Sequence, residues 1–273
     1  MLLAVADGAA HARDGADPGE TETLSLYLLD GLKEALEWAH EGVASDEAAC
    51  MWLAALRWYK LVNNTFPEGA PEPQPRWIDE AFDGAPSFAP GDSQNLLALT
   101  NPDMASVGRP AYPEADSTGV LTRAAFAALL PRVDEATTAK IATDAAALTH
   151  GSPAAHRTAG AAALVVRAAL ESGTDALPRW ATLVAGLEGE AAEGLILAVD
   201  LVTDALANTE AQVAYDALFE ALGEEPDGET AAYATALLAA VQGTDAVAHR
   251  PASEIDPILD AMHDRWVKLT VGE

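Results

Sequence analysis

Residues 23–40 read TLSLYLLDGLKEALEWAH, and their apolar side chains recur at the spacing of one face of an α-helix. The apolar positions of this stretch are Leu24, Tyr27, Leu28, Leu32, Leu36 and Trp38. After a break at Gly42, Ser45-Asp46-Glu47 has the cap and the early acids of a helix start, and residues 48–62 repeat the apolar pattern. Two adjacent amphipathic helices joined by a short link predict a helical hairpin.

The same periodicity continues beyond Gly119. It predicts further helices over residues 121–130, 134–149, 154–171, 176–187, 190–207, 210–222, 229–241 and 253–269. More than a fifth of the chain is alanine and the runs of Val and Ile are short, so no strand competes with these helices. We therefore predict an all-α fold that forms a compact bundle, and the length of the chain allows one large domain or two small ones.

Residues 63–119 interrupt the helical pattern with frequent prolines. This stretch is too long for an ordinary connection, so it is either a linker or a structured functional loop. Its apolar side chains, such as Trp77 and Phe82, favour a loop layer that packs on the helices. A short helix is predicted near residues 93–100.

The composition excludes several classes of protein. The formal charge is −28, from 43 acidic and 15 basic side chains, and no Lys/Arg cluster is present, which argues against nucleic-acid and anionic-membrane binding. One cysteine, Cys50, excludes an intramolecular disulfide framework. No apolar run reaches the roughly 20 residues of a membrane span, and residues 1–10 lack a positively charged signal region. These features predict a cytoplasmic protein.

The segment Gly19-Glu20-Thr21-Glu22-Thr23 lies directly before the first strong helix. One interpretation is a helix cap, with acids placed at the positive end of the helix dipole. The other is a site in which Glu20, Thr21 and Glu22 bind a hard cation through oxygen atoms. The spacing of these residues fits both interpretations and favours the cap.

Two further segments carry candidate binding residues. Asp116, Ser117, Thr118 and Gly119 precede a helix, so they form either a cap or a turn whose N–H groups bind a phosphate or ribose. Arg123, one turn into that helix, would support an anion or pair with a carboxylate. His150, between two predicted helices, would act as a base or a metal ligand, or would cap a carbonyl.

Taken in order, these segments resemble the ADP-ribosylglycohydrolases. The similar stretches are residues 21–32, 89–99, 116–123 and 147–153, and residues 3–9, which include Asp7, are similar to the Gly-Asp-Ala-Leu-Gly element of that family. The resemblance covers roughly residues 1–240. It implies a compact orthogonal helical bundle that occupies residues 1–273 as a single domain. It also implies hydrolysis of the bond between ADP-ribose and an acceptor, with two magnesium ions held by carboxylates.

The chain departs from this family at both metal motifs. Where the family has Thr-Asp-Asp-Thr, the matching residues are Gly19, Glu20, Thr21 and Glu22. The second motif, Asp-x-Asp-Thr/Ser, is expected after Val241, where only residues 243–247, GTDAV, are found. The dinuclear centre therefore looks dismantled, and at most a degenerate magnesium site of Glu20, Thr21 and Glu22 is expected.

We therefore predict a catalytically impaired homologue that binds ADP-ribose, a nucleotide, or an ADP-ribosylated or other protein partner. The alternative is a divergent hydrolase of a ribosyl glycosidic bond, in which Glu20 and Glu22 are the catalytic carboxylates. The expected ligand-binding residues are Asp7, Asp116, Ser117, Thr118, Gly119, Arg123 and His150.

Overall fold

The computed structural model of the protein describes residues 1–12, 18–84, 88–208, 210–223, 227–248 and 252–271. Over these ranges the chain forms helices and loops and no β-sheet, which confirms the predicted all-α fold. The helices are α1 (Leu2–Ala12), α2 (Glu20–His40), α3 (Glu47–Asn63), α4 (Trp77–Ala81), α5 (Ser93–Leu99), α6 (Leu121–Ala127), α7 (Glu135–Ala147), α8 (Pro153–Ser172), α9 (Leu177–Val184), α10 (Glu190–Ala205), α11 (Ala211–Leu222), α12 (Gly228–Gln242) and α13 (Asp256–Thr270). In the described ranges, no helix is both long enough and apolar enough to cross a membrane.

Helices α2 and α3 form the antiparallel hairpin that their periodicity predicts. Gly31 allows the two helices to approach closely, because a Cβ atom at this position would lie 2.7 Å from the carbonyl oxygen of Cys50. Asp46 caps α3 by accepting a hydrogen bond from the N–H of Ala49, at 3.1 Å. At the other end, Trp58 Nε1 donates to Thr23 Oγ1 at 3.0 Å. The start of α2 is thereby fixed against α3.

Helix α12 lies at the centre of the protein and contacts α1, α6, α8 and α10. Its residues 229–240 are all buried, which is the pattern of a helix surrounded by other helices. Small residues make this packing possible, since a Cβ atom at Gly8 of α1 would overlap the backbone of Ala231. One cluster of buried apolar side chains includes residues from Ala4 to Trp266.

The described part of residues 63–119 packs on the α2–α3 hairpin, and residues 85–87 of this stretch lie outside the described ranges. Ile78 of α4 and Phe82 are buried, and the ring of Phe82 stacks with Tyr27 of α2 at 6.0 Å between centroids. Ala89 pairs with the chain before α2, because Glu20 N donates to Ala89 O at 2.9 Å and Ala89 N to Pro18 O at 3.1 Å. This pairing places residues 90–93 beside the start of α2.

Candidate functional site

A polar cavity of about 390 Å³ opens where the starts of α2, α10 and α12 meet residues 90–93 and 117–118. Four acidic residues line it, and no described residue that lines it is basic. We call it the acidic cavity. The converging helix N-termini supply partial positive charge that offsets some of the negative charge. The lining residues are Ala12, Thr21, Pro90, Gly91, Asp92, Ser93, Ser117, Thr118, Glu190, Asp227, Gly228 and Glu229.

Asp92 accepts hydrogen bonds from two segments that line or border the acidic cavity. Its Oδ1 caps α5 by accepting from Gln94 N at 2.8 Å, and its Oδ2 accepts from Gly119 N at 3.0 Å and from the hydroxyl of Ser117. Burial raises the pKa of Asp92, but hydrogen bonds from His150 and Ser117 outweigh it and hold the pKa well below its usual range. Asp92 is therefore ionised throughout the neutral pH range.

The predicted anion-binding turn, residues 116–119, binds the carboxylate of Asp92. Gly119 is required here, because a Cβ atom at this position would overlap Asp92 Oδ2. The hydroxyl of Ser117 is shared between Asp92 and His150 Nε2, the latter at 2.7 Å. The groups of Gly119 and Ser117 that were expected to contact a ligand are thus engaged within the protein, although Ser117 also lines the cavity.

Arg123 lies behind this turn, fully buried. Its guanidinium donates to the carbonyl oxygen of Gly119 at 2.6 Å, to Thr149 Oγ1 at 2.8 Å and to the amide oxygen of Asn95. Burial lowers the pKa of Arg123, while the negative charges of Glu229 and Asp92 oppose the shift. Arg123 therefore positions the turn and does not line the cavity.

His150 is also buried behind the cavity wall. Its Nδ1 lies 2.8 Å from Thr149 Oγ1, and its Nε2 contacts the hydroxyl of Ser117. Burial lowers the pKa of His150 despite the nearby carboxylate of Asp92, which favours the neutral imidazole. His150 therefore orients the hydroxyl of Ser117, which in turn donates to Asp92.

Asp116, Thr118 and Thr21 lie at the edge of the same region. Thr118 and Thr21 line the cavity. Asp116 is at the start of α10, where its carbonyl oxygen accepts from Ala191 N at 2.9 Å. Its Oδ1 is buried and has no hydrogen-bond partner among the described residues, and burial raises the pKa of this carboxyl group.

The two acids of the predicted metal motif bind backbone N–H groups. Glu22 Oε1 accepts from Gly19 N at 2.7 Å, which is the geometry of the helix-cap interpretation. Glu20 Oε2 accepts from Gly91 N at 3.0 Å, and burial raises the pKa of Glu20. Within the described ranges, no three His, Cys, Asp or Glu side chains are grouped so as to hold a metal ion. One carboxylate oxygen of each of these two residues is thus engaged by a backbone N–H group.

Asp7 lies on α1, inside the helical packing. Its Oδ2 accepts from the hydroxyl of Tyr215 on α11 at 2.7 Å, and Asp7 is not among the residues that line the acidic cavity. The structure therefore separates Asp7 from the other predicted site residues.

The sequence reasoning missed Asp92, Glu190, Asp227 and Glu229 as lining acids. Residues 227–230 read DGET, which differs from the expected Asp-x-Asp-Thr/Ser by one methylene group. This pattern was sought after Val241, but it lies at the start of α12, where Asp227 accepts from Thr230 N at 3.1 Å. A search for Glu in place of the second Asp would have found it.

Glu229 is the most deeply buried of these acids. Its Oε2 accepts from Thr122 Oγ1 at 2.6 Å. Burial raises the pKa of Glu229 to about 8, although Thr122 and Arg123 oppose the shift. At neutral pH the protonated form of Glu229 is therefore favoured, whereas Asp92 beside the same cavity is ionised.

Comparisons with known proteins identify the family of the chain. The sequence model of the family described as ADP-ribosylglycohydrolase matches residues 1–263 of the chain. A comparison with curated proteins finds no match. The matched region includes every element that builds the acidic cavity. The chain belongs to the ADP-ribosylglycohydrolase family.

Proposed function

We propose that this protein is a catalytically impaired member of its family that binds an ADP-ribosyl group, with the ribose in the acidic cavity. The observation that carries the proposal is the use of Glu20 and Glu22 on the N–H groups of Gly91 and Gly19. Carboxylates that are held by the backbone are poorly placed to hold metal ions. Hydrolysis that depends on two cations would then lose both its electrophile and its activated water.

The charge of the cavity favours a sugar over a phosphate. Carboxylates accept hydrogen bonds from sugar hydroxyl groups, and Thr21, Ser117 and Thr118 add hydroxyl groups at the lining. The same carboxylates repel a diphosphate, so this part of the ligand would lie outside the cavity. An ADP-ribosylated protein partner would present this ribose with its anomeric carbon bonded to a side chain, where free ADP-ribose has a hydroxyl group.

Thermal melting with ADP-ribose, in magnesium and separately in chelator, tests the binding. A ligand at about 100 times its dissociation constant stabilises the native state by roughly 2.7 kcal/mol. We expect a rise in melting temperature in both buffers. No rise in either buffer, or a rise only with magnesium, would contradict the proposal.

A matched pair of variants locates the binding. Ser93 is exposed at the start of α5 and lines the cavity, whereas Leu97 is exposed one turn further along and does not. Ser93→Trp should weaken ADP-ribose binding by about tenfold or more, because the indole would occupy the cavity. Leu97→Trp should leave the binding unchanged. Equal effects of the two variants would remove the acidic cavity from the proposal.

A second candidate function is metal-free hydrolysis of a ribosyl glycosidic bond. The observation in its favour is the opposite protonation of two carboxyl groups at one cavity, with Glu229 protonated and Asp92 ionised at neutral pH. Glycosidic cleavage uses such a pair as acid and base. Release of ADP-ribose from a modified peptide in chelator would favour this candidate if it fell as pH rose through about 8 and was lost in Glu229→Gln. Binding without release supports the first proposal.

A further inference from the structure

A second cavity, of about 600 Å³, lies between the α2–α3 hairpin and the proline-rich segment that packs on it. Its residues are distinct from those of the acidic cavity. The residues that matter to its chemistry are Tyr27, Arg57, Lys60, Phe66, Asp79 and Phe82. We call it the aromatic cavity.

We propose that the aromatic cavity is a second ligand site, which binds a small aromatic anion such as an aryl carboxylate, sulfonate or phosphate. A volume of about 600 Å³ falls within the range of roughly 300–1,000 Å³ of small-molecule sites. The proposal is independent of the function proposed for the acidic cavity. It depends on the hydrogen-bonding state of Arg57, on the aromatic walls and on the distribution of charge.

Arg57 is a buried cation with unused hydrogen-bond donors. Its side chain is 3% exposed, and its Nη2 donates to Asp30 Oδ2 at 3.2 Å. Its Nε is buried 3.4 Å from Asp79 Oδ2, in an ion pair without a hydrogen bond. The hydrogen bond that Arg57 makes to a described residue uses Nη2, so an acceptor group of a ligand that reached Nη1 would gain a charge-assisted hydrogen bond.

The two acids beside Arg57, Asp30 and Asp79, also accept hydrogen bonds from other donors. Asp30 is fully buried and also accepts from Arg76 Nε and Trp77 Nε1, each at 2.7 Å. Asp79 accepts from the hydroxyl of Tyr27 at 3.1 Å and from Arg76 N at 2.7 Å. This network holds the guanidinium of Arg57 in place before any ligand arrives, so binding would lose little conformational entropy.

Aromatic rings and a second cation complete the cavity. Phe66 and Phe88 line it as half-buried rings that offer apolar surface to a planar ligand. The ring of Phe88 lies edge-on to the buried ring of Phe82, at 5.9 Å between centroids. Lys60 is exposed, and its Nζ lies 4.9 Å from the centroid of the Phe66 ring. A planar body would therefore contact rings while its anionic group approached Arg57 and Lys60.

The distribution of charge differs between the two cavities. Two cations, Arg57 and Lys60, and two acids, Asp79 and Asp83, line the aromatic cavity. The acidic cavity has four acids and no cation among the residues described there. Of the two cavities, the aromatic one is therefore the one that offers cations to an anion.

A pair of fluorescent probes tests the proposal on the full chain. Anilinonaphthalene sulfonate carries a sulfonate on a fused aromatic ring system, and phenylnaphthylamine has the same rings without the charge. We expect the native protein to bind the sulfonate one-to-one, about tenfold or more tighter than the neutral amine. Equal binding of the two probes would overturn the proposal, because general hydrophobic binding does not need the anion.

Variants identify the groups that bind the sulfonate. Lys60→Ala removes an exposed cation, and Arg57→Lys keeps the buried charge but loses the guanidinium donors. Each should weaken sulfonate binding by about fivefold or more, whereas Lys140→Ala, which removes another exposed lysine, should not. Ser93→Trp at the acidic cavity should also leave it unchanged. If Lys60→Ala and Arg57→Lys both bind the sulfonate as the unmodified protein does, the aromatic cavity is not the site.

Discussion

The two cavities are both built on α2, yet they balance charge in opposite ways. At the start of α2 four acidic side chains line the acidic cavity, and the counter-charge comes from helix N-termini and from Arg123 behind the wall. Two turns later the aromatic cavity has a cation in its wall, and Asp30 and Asp79 supply the counter-charge. The contacts differ as well: Asp30 and Asp79 form ion pairs with Arg57, whereas Arg123 donates to Gly119 O, Thr149 and Asn95 and acts on the carboxylates only through its charge.

This difference shows that the overall charge of a chain does not determine the charge of its sites. A protein with a formal charge of −28 still places two cations at one cavity. What sets the local charge is which buried partners the fold provides, and those partners come from distant parts of the sequence. Asp30 reaches Arg76 on the proline-rich segment, and Asp92 reaches the turn at Gly119.

The largest effect is expected at Asp30, which supports the aromatic cavity. Asp30→Ala leaves Arg57, Arg76 and Trp77 without their shared acceptor, and removal of one partner from a buried ion pair costs about 3–5 kcal/mol. Chemical denaturation measures this loss. As a control, Lys140→Ala breaks the exposed pair with Asp144 and should cost about 0.5 kcal/mol or less. Similar losses in both variants would mean that the Asp30 network contributes little.

At the acidic cavity, the corresponding change is Gly119→Ala. Its Cβ atom would overlap the carboxylate of Asp92, so the turn must shift, and such overpacking costs about 1–3 kcal/mol. Gly160→Ala on α8 is the matched control, because its Cβ atom would meet only ordinary contacts, the nearest at 3.4 Å. Denaturation of both variants gives the comparison. A Gly119→Ala protein as stable as Gly160→Ala would show that Asp92 does not occupy the turn.

The pH dependence of stability tests the charge balance at the acidic cavity, through the carboxylate of Asp92. Asp92 has a lowered pKa in the folded protein, so its contribution is complete above its unfolded pKa of about 4 and is lost as pH falls toward the folded value. Asp92→Asn should therefore reduce the loss of stability between neutral pH and pH of about 3 by about 1–2 kcal/mol. Asp200→Asn, at an exposed position on α10, is the control. The same acid sensitivity in all three proteins would contradict the role of Asp92.

The smallest effect is expected from magnesium. Since Glu20 and Glu22 bind backbone N–H groups, addition of magnesium should change the melting temperature by no more than about 1 °C relative to chelator. A larger rise that disappears in the double variant Glu20→Ala, Glu22→Ala would restore the metal site at these residues. The difference between the two cavities would then be smaller, because the acidic cavity, like the aromatic one, would have a cation at its surface.

Much of the fold follows from local sequence. The apolar spacing predicts residues 23–40 and 190–207 as helices, and α2 and α10 occupy Glu20–His40 and Glu190–Ala205. Helix α4 is not predicted, because it is a single turn in a proline-rich stretch. It depends on a tertiary feature, the contact of Arg76 and Trp77 with Asp30. The helix Leu2–Ala12 was likewise not predicted from its short alanine-rich sequence.

The site is predicted only where its residues are close in sequence. The turn at residues 116–119 and His150 were singled out by their positions at helix ends, and the structure brings Ser117 and His150 into contact. Asp92 was not predicted as a site residue, because its contact with the turn at Gly119 joins positions 27 residues apart along the chain. The roles proposed for Glu20 and Glu22 depended on the direction of two carboxylates, and the spacing of residues alone does not fix that direction.

The carboxylate of Asp92 in the turn at Gly119 also acts as a tethered competitor. A free phosphate or chloride ion would have to displace a group that is covalently attached nearby and therefore present at a high effective concentration. Removal of that side chain would turn the same N–H and hydroxyl groups into an empty receptor for a small anion. In this chain a single residue, Asp92, therefore occupies the groups that would otherwise be available to a small anion.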